Sequence, residues 1–283
     1  MNDRMMVTKA DGSKELYNER KLLKSLGKVG VQAEESSEIL NFIRDEVRHG
    51  MSTSDIFSHT LERLKERSGP SAARYSIKRA VLALGPSGFP FERYIAEVLK
   101  AHGATSVMTD VTLNGACVPH EVDIIAHLKG TRIGIEAKFH NSAGLKTEIK
   151  DMLYVHARFQ DLVKSKEQQI DAGWLITNTR FTTHAQQYAM CANVQAIGWD
   201  YPRGRGIQHL IESVGVMPLT SMVTLSHEEH QALLKAGYVL VKDLRDKPDR
   251  LKAIGVGHDR FRSILDEAAQ LSITRPISEV LPI

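Results

Sequence analysis

The pattern of apolar and polar positions changes twice along the chain and predicts three segments of different character. Residues 1–85 open with a short alternating stretch and continue with apolar positions at helical spacing. Residues 88–218 mix helical patterns with the alternating or wholly apolar runs typical of strands. Residues 219–283 return to helical spacing. The Gly/Pro/Ser-rich stretch at 85–90 is the strongest candidate for a linker.

The first segment is predicted to be helical with an N-terminal β-hairpin. In MMVTKADGSKELYN the turn falls at Asp11-Gly12, a pair that favours tight hairpins. Four amphipathic helical patterns follow, and Gly30 and Gly50 are plausible helix stops.

The middle segment predicts an α/β domain with a mixed sheet. FERYIAEVLKAHG has the spacing of an amphipathic helix, and SVMTDVTL, HEVDIIAHL and RIGIEAKF have the pattern of strands. A long helix over 145–164 is followed by the strand AGWLITN, the helix TTHAQQYAMCANV and the strand QAIGWD. This last strand, helix, strand order implies parallel pairing with a covering helix.

The third segment predicts a small helical domain. HEEHQALLKAGYVLVKDL predicts one helix, and RLKAIGVGHDRFRSILDEAAQL predicts two helices joined by a tight GVG turn.

Composition limits the partners and the compartment expected for the protein, but it does not define the activity. The 283 residues carry a formal charge of +3, which permits an acidic partner such as nucleic acid. The two cysteines, Cys117 and Cys191, are too few for a disulfide framework and favour a reducing cytoplasm. The sequence contains no apolar run of about 20 residues and no secretory signal core, so we expect neither a membrane span nor secretion.

The chemistry of the middle segment lies on two consecutive strands. Alternation places Asp123 opposite the apolar face of HEVDIIAHL, and it places Glu136 and Lys138 together on the polar face of RIGIEAKF. The short connection predicts a hairpin that brings Asp123 and Glu136 close together. Two carboxylates repel each other unless a cation lies between them, and Mg²⁺ prefers oxygen ligands. The alternative is a solvent-facing Glu136–Lys138 ion pair on a strand that has no catalytic role.

These residues resemble the PD-(D/E)xK nuclease signature in its D…ExK form, and their surroundings resemble the Mrr-like restriction endonuclease branch. The resemblance rests on the helix FPFERYIAEVL, then VDIIA, IEAKF and WLITNTRFTTHAQQYA, and it covers about 130 residues. It implies a restriction endonuclease-like fold, with Asp123, Glu136 and the helix residue Glu92 holding Mg²⁺ or Mn²⁺. It also implies that Lys138 orients or activates the attacking water. His120-Glu121-Val122 stands where a proline-aspartate pair is common.

The first segment resembles an ATP-cone, a nucleotide-sensing domain. The match runs through Val7, Lys9, Asp11-Gly12, Glu15, Asn18 and Lys21, then GMSTSDI, which contains Thr53, and AARY. Two ammonium groups, those of Lys9 and Lys21, would bind a triphosphate, and Thr53, Arg74 and Arg79 would complete the phosphate end. Glu15 and Asn18 offer groups suited to an adenine edge. The departure is alanine at position 10, which is often basic in the family. The alternatives are a cone that no longer binds nucleotide and a helical domain with a charged surface.

The third segment resembles a helix-hairpin-helix motif through AIGVGHDRFRSIL. Gly255 and Gly257 would expose backbone N–H groups to a DNA phosphate, and Arg260 and Arg262 flank the turn. A Gly-x-Gly between two helices is also consistent with a simple turn.

Together the patterns predict a cytoplasmic, metal-dependent DNA endonuclease with ATP or dATP as effector, working as a homodimer or higher homo-oligomer. The chain contains no Walker A sequence for hydrolysing the nucleotide. Two other classes remain open: a nucleotide-responsive DNA-binding protein or repressor whose nuclease fold is inactive, and an oligomerising scaffold.

Overall fold

The computed structural model describes residues 5–9, 12–142, 144–165 and 170–272. Two compact units result, Met1–Lys78 and Arg79–Ile283. The division therefore precedes the linker candidate at 85–90, and the middle and C-terminal segments form one unit. In the part of the chain that is described, no helix is both long and apolar enough to cross a membrane.

The first unit contains a small hairpin and helices. Strands β1 (Met6–Thr8) and β2 (Lys14–Leu16) pair antiparallel, with Val7 opposite Glu15. Asp11 of the expected turn lies outside the described residues. The four expected helices are α1 (Glu19–Lys28), α2 (Ala33–Glu46), α3 (Thr53–Arg67) and α4 (Gly69–Leu82), the last of which crosses the division between the units. The core includes the buried side chains of Leu26, Ile43 and Leu64.

The second unit is built on a mixed five-stranded sheet, as the sequence predicts. Its strands, in spatial order, are β3 (Thr105–Asn114), β4 (Pro119–Leu128), β5 (Thr131–Lys138), β7 (Ala172–Thr177) and β9 (Gln195–Ile197). The first three pair antiparallel and the last three pair parallel. The covering helices are α5 (Phe89–Ala101), α6 (Ile149–Lys164) and α7 (Thr183–Cys191). A separate two-stranded ladder, β6 (Lys146–Thr147) with β8 (Arg180–Phe181), is a finding that the sequence did not predict.

The C-terminal part of this unit is helical. It comprises α8 (Ile207–Val214), a 3₁₀ turn (Leu219–Ser221), α9 (His227–Lys235), α10 (Val241–Asp246), α11 (Asp249–Ala253) and α12 (His258–Leu271). The single helix expected for HEEHQALLKAGYVLVKDL is wrong, because two helices, α9 and α10, occupy that stretch. Gly237 separates them with a φ of +86°, a left-handed conformation that a helix interior does not contain.

Candidate active site

The hairpin of β4 and β5 brings Asp123 to the strand that carries Glu136. The antiparallel register pairs Ile124 with Ile135, so Asp123 and Glu136 are the next residues outward on neighbouring strands. The backbone N–H of Ala137 donates a 2.7 Å hydrogen bond to Oδ2 of Asp123. The structure therefore joins the two strands at the point where the sequence predicts paired carboxylates.

Helix α6 covers the polar face of β5. Glycine at position 134 makes close packing possible, because a β-carbon there would lie 2.4 Å from Cε1 of Phe159. One residue earlier on α6, Arg158 forms an ion pair and hydrogen bond with Oε2 of Glu136. Only 12% of the Arg158 side chain and 19% of the Glu136 side chain are exposed. The Glu136 carboxylate is thus enclosed by protein and has an arginine partner that the sequence analysis did not identify.

Lys138 has a different environment from Glu136. Its Nζ lies 3.4 Å from Oδ1 of Asp151, in the first turn of α6, and its side chain is 42% exposed. The alternative interpretation, a Glu136–Lys138 ion pair, is not among the ion pairs of the described residues. Lys138 therefore has access to solvent or substrate, as a group acting on an attacking water needs.

Glu92 lies in the first turn of α5 and belongs to the same electrostatic neighbourhood. Glycine at position 88 leaves room for it, because a β-carbon there would lie 2.9 Å from Oε1 of Glu92. Burial raises the pKa of Glu92 to about 7, and the negative charges of Asp123, Asp110 and Glu136 raise it further. The charges of the carboxylates on the strands thus act on Glu92, and its role as a metal ligand stays a prediction.

The two carboxylates on the strands, those of Asp123 and Glu136, also have raised pKa values, because the nearby positive charges do not offset burial and mutual repulsion. Burial and then the charge of Asp123 raise the pKa of Glu136 to about 7, although Arg158 and Lys138 oppose the shift. Burial likewise raises the pKa of Asp123, against the hydrogen bond from Ala137. Raised pKa values at buried, mutually repelling acids are the condition that a bound cation would relieve.

The donor chemistry suits a hard divalent cation, but the present arrangement is not a finished coordination shell. Carboxylate oxygens are the ligands that Mg²⁺ and Mn²⁺ prefer. In the ranges that the structure describes, no group of three or more His, Cys, Asp or Glu side chains is arranged to hold a metal ion. The Glu136 carboxylate instead faces Arg158. The acids fit the cation in type and charge, and a shared shell would require Glu136 to turn.

A buried polar network supports the chain just after Lys138. The Asn178 side chain bridges the backbone of His140, accepting from its N–H and donating to its carbonyl, each at 2.8 Å. The ring Nε2 of His140 lies 3.0 Å from the hydroxyl of Thr147, which donates to Thr177 at 2.9 Å. These bonds join the end of β5 to β6 and β7, so they fix the strand that presents Lys138.

Comparisons with known proteins agree with this architecture. The family model described as "Restriction endonuclease" matches residues 85–200, and the model described as "AF1548-like, C-terminal" matches residues 217–272. An uncharacterized protein of Archaeoglobus fulgidus is 35% identical over 178 residues, which are 62% of this chain and 99% of the relative. The chain belongs to the family of that protein. Residues 85–200 of this chain thus form a restriction endonuclease-like domain, which indicates a nuclease.

The crystal structure of AF1548, described as a protein of unknown function, shares 33% identity with a TM-score of 0.56, covering 66% of this chain and 98% of that one. Can2 from Sulfobacillus thermosulfidooxidans, in complex with cyclic tetra-adenylate, shares 11% identity with a TM-score of 0.32, covering 43% of this chain and 34% of that one. The second overlap is too slight to bear on fold or function.

Most residues of the predicted nucleotide site belong to the N-terminal hairpin or lie at the start of α1. The ammonium groups of Lys9 and Lys21 both lie at Oε2 of Glu15, at 3.0 and 2.8 Å. The hydrogen bonds from Lys21 and Lys9 hold the pKa of Glu15 below its usual range. Asn18 caps α1 by accepting from the backbone N–H of Arg20.

Two further residues of that predicted site are placed differently. Val7 is buried in the core of the unit, so its side chain supports the hairpin. Thr53 is the first residue of α3, next to the Ser52 cap. The ATP-cone and its nucleotide stay predictions.

The predicted DNA-contacting turn between α11 and α12 contains two arginines with different surroundings. Gly255 has a φ of +81°, and Gly257 is the cap of α12. Arg260 donates to Glu229 and, at 2.5 Å, to the carbonyl of Thr224, so it ties α12 to α9. Arg262 is exposed.

The residues that sequence reasoning missed are those that α6 and β3 contribute to the site: Asp110, Asp151, Tyr154 and Arg158. The signal for the α6 residues was present, because Asp151 and Arg158 adjoin the buried positions of that amphipathic helix. Charged groups beside buried positions, opposite strands with carboxylates, indicate a covered polar site rather than a solvated one.

Proposed function

We propose that the protein is a metal-dependent endonuclease that hydrolyses phosphodiester bonds in DNA and responds to ATP or dATP. The observation that supports it most is the meeting of Asp123 with Glu136 on adjacent strands of a restriction endonuclease-like domain, with Lys138 two residues further on and Glu92 in the same electrostatic neighbourhood. Asp123, Glu136 and Glu92 would hold Mg²⁺ or Mn²⁺. When bound, the cation would stabilise charge on the phosphate and favour deprotonation of water.

In this proposal the side chains have separate tasks. Asp123 aligns β4 with β5 through its bond to the Ala137 N–H, which fixes the acid pair. Lys138, less enclosed than Glu136, would stabilise negative charge on the attacking oxygen and on the phosphorane-like transition state. Attack of the water oxygen on phosphorus would break one P–O ester bond, leaving one phosphate end and one hydroxyl end.

The second candidate is a nucleotide-responsive DNA-binding protein or repressor with an inactive nuclease fold. It is favoured by one observation, the engagement of Glu136 by Arg158 in place of a ready-made three-acid cluster among the described residues. Both candidates would bind DNA through the turn at 254–257 and both would bind nucleotide through the N-terminal unit. They differ only in whether the acid pair supports cleavage.

The deciding experiment is cleavage of supercoiled and linear plasmid by the full chain with Mg²⁺, Mn²⁺ or EDTA, with and without ATP and dATP. Cleavage that requires the divalent ion and disappears in Glu136→Gln supports the nuclease. Tight DNA binding with no cleavage under any of these conditions would support the second candidate.

A further inference from the structure

Arg158 is the most enclosed charged partner of the acid pair. One end of its guanidinium group bonds to Glu136, and its Nη2 donates a 2.9 Å hydrogen bond to the Tyr154 hydroxyl. Its Cζ lies 4.7 Å from the centre of the Tyr154 ring. The residues lie four apart on α6, so one helix face supplies both the cation and its support.

The placement of Arg158 leaves one of its donors unused. Its Nε is buried and has no hydrogen-bond partner among the residues that the structure describes. An arginine has five N–H donors in a fixed planar fork, and an unmade buried bond is costly. At this position the Glu136 carboxylate has a charged partner, but the Arg158 Nε–H has no acceptor. Arg158 is therefore expected to move away when a divalent cation reaches Glu136.

The partner on α6 also defines where Arg158 can move. Tyr154 is 61% exposed, so its ring lies at the rim of the site. A guanidinium group that leaves Glu136 can keep its contact with the Tyr154 ring and remain above the site. Arg158 stays protonated throughout, since arginine does not lose its proton in proteins. The exchange is therefore one cation for another at the same carboxylate, with no proton transferred.

We propose that Arg158 is a positioning residue that occupies the place of the divalent cation at Glu136 in the metal-free protein and releases Glu136 when the cation binds. The inference rests on the proposed function, because it takes Glu136 to be a metal ligand. The exchange explains why the acid pair is enclosed although no three acids of the described chain are arranged to hold a metal ion. Arg158 would keep the carboxylates folded in place until the metal arrives, and it would weaken metal binding as a consequence.

The test is titration of the full chain with Mn²⁺, following free Mn²⁺ by electron paramagnetic resonance, for the parent, Arg158→Gln and a matched control. Removing the competing cation should tighten Mn²⁺ binding by at least about tenfold. The metal-free Arg158→Gln variant should melt at a lower temperature than the parent, and Mn²⁺ should raise its melting temperature by more. Equal or weaker Mn²⁺ binding in Arg158→Gln would overturn the inference, because a merely structural arginine gives that result.

The matched control is Arg63→Gln. Arg63 also pairs with a glutamate, Glu66 at 2.8 Å, and also lies over an aromatic ring, that of Phe42 at 3.8 Å. It belongs to the N-terminal unit, and its loss should leave Mn²⁺ affinity unchanged. Equal tightening in Arg63→Gln would mean that net charge, not position, is responsible, and would also overturn the inference.

Two further variants keep the test decisive. Tyr154→Phe replaces Arg158→Gln if that variant does not fold, because it removes only the exposed hydroxyl that holds Arg158. It should tighten Mn²⁺ binding about two- to threefold. Unchanged binding would then count against the inference. Glu136→Gln separates the two levels of proposal. A parent that binds no Mn²⁺, or binds it equally after Glu136→Gln, refutes the metal site itself. A parent whose binding depends on Glu136 but not on Arg158 refutes only the exchange.

Discussion

Ala137 and Asp123 are joined across the hairpin by a 2.7 Å hydrogen bond from a backbone N–H to a side-chain carboxylate. The backbone pairing of β4 with β5 extends only as far as Ile124 and Ile135. Beyond that point β4 continues beside β3, and the Ala137 N–H is bonded by the Asp123 side chain rather than by a β4 carbonyl. The aspartate therefore has a structural task where the strands diverge, as well as the chemical task proposed for it.

Asparagine and alanine at position 123 should separate these two tasks. Asp123→Asn keeps an oxygen that can accept from Ala137, so its free energy of unfolding should stay within about 1 kcal/mol of the parent. Asp123→Ala leaves that N–H unpaired and should cost about 1–3 kcal/mol. Both variants should lose cleavage, since each removes a charge from the acid pair. Urea melts and single-turnover plasmid cleavage measure the two effects. Cleavage by Asp123→Asn at the parental rate would exclude Asp123 as a metal ligand.

Lys138→Ala should affect the chemical step far more than stability. The Lys138–Asp151 contact is 3.4 Å and largely exposed on the lysine side, so its loss should cost about 0–1 kcal/mol. An electrostatic group at the reacting centre is worth about 10²–10³ in rate. Lys150→Ala is the matched control, because Lys150 also lies 3.4 Å from a carboxylate, that of Glu148. Single-turnover rates at saturating Mg²⁺ that fall equally in both variants, or in neither, would remove Lys138 from the mechanism.

The sequence predicted the mixed sheet and the paired acids because both follow from local alternation. The period of two in RIGIEAKF places Glu136 and Lys138 on one face, and the short connection to HEVDIIAHL places Asp123 beside them. What covers that face depends on how α6 docks, which brings Arg158 to Glu136 from 22 positions along the chain. The amphipathic pattern of α6 shows that Asp151 and Arg158 adjoin buried positions, but it does not show which strand the helix covers, so both residues were missed. The α9–α10 break was missed because the apolar spacing continues across Gly237, whose positive φ only the backbone reveals.

Nucleotide binding to the N-terminal unit should depend on Lys9 and Lys21. ATP or dATP at a hundredfold excess over Kd should stabilise that unit by about 2.7 kcal/mol. Replacing both lysines with alanine should abolish the rise in melting temperature, because the triphosphate would lose the two ammonium groups that now bind Glu15. Lys14→Ala with Lys24→Ala removes the same charge from exposed positions of the same unit and should leave the rise unchanged. An identical rise in both double variants would place the nucleotide elsewhere.

Substitution of the two arginines beside the Gly255–Gly257 turn should affect different properties, DNA binding for one and stability for the other. Arg262→Ala removes an exposed charge, so it should weaken DNA binding and reduce the slope of log K against log salt by about 0.9, with little change in stability. Arg260→Ala breaks the link to Glu229 and Thr224, so it should lower stability first. Fluorescence anisotropy over a salt series, with parallel urea melts, measures both. An unchanged salt slope in Arg262→Ala would remove that residue from the interface.

Asp161 should make part of the protein's stability dependent on acidity. Hydrogen bonds from the Cys117 thiol and from His120 hold the pKa of this α6 carboxyl down to about 2, with backbone N–H groups of the β3–β4 connection adding to the effect. An unfolded aspartate titrates near about 3.9, so between these values the folded state binds fewer protons than the unfolded state. The contribution of Asp161 is therefore complete above about pH 4 and is lost as the pH falls towards about 2.

Asp161→Asn removes the titrating group and should flatten this part of the pH profile. Urea midpoints of the parent and the variant should differ most at about pH 5 and approach each other as the pH falls towards about 2. Asp266→Asn, at an exposed position of α12, is the control and should follow the parent at every pH. A constant difference between Asp161→Asn and the parent over the whole range would mean that the carboxylate acts only through its shape and hydrogen bonds, with no proton-linked share of the stability.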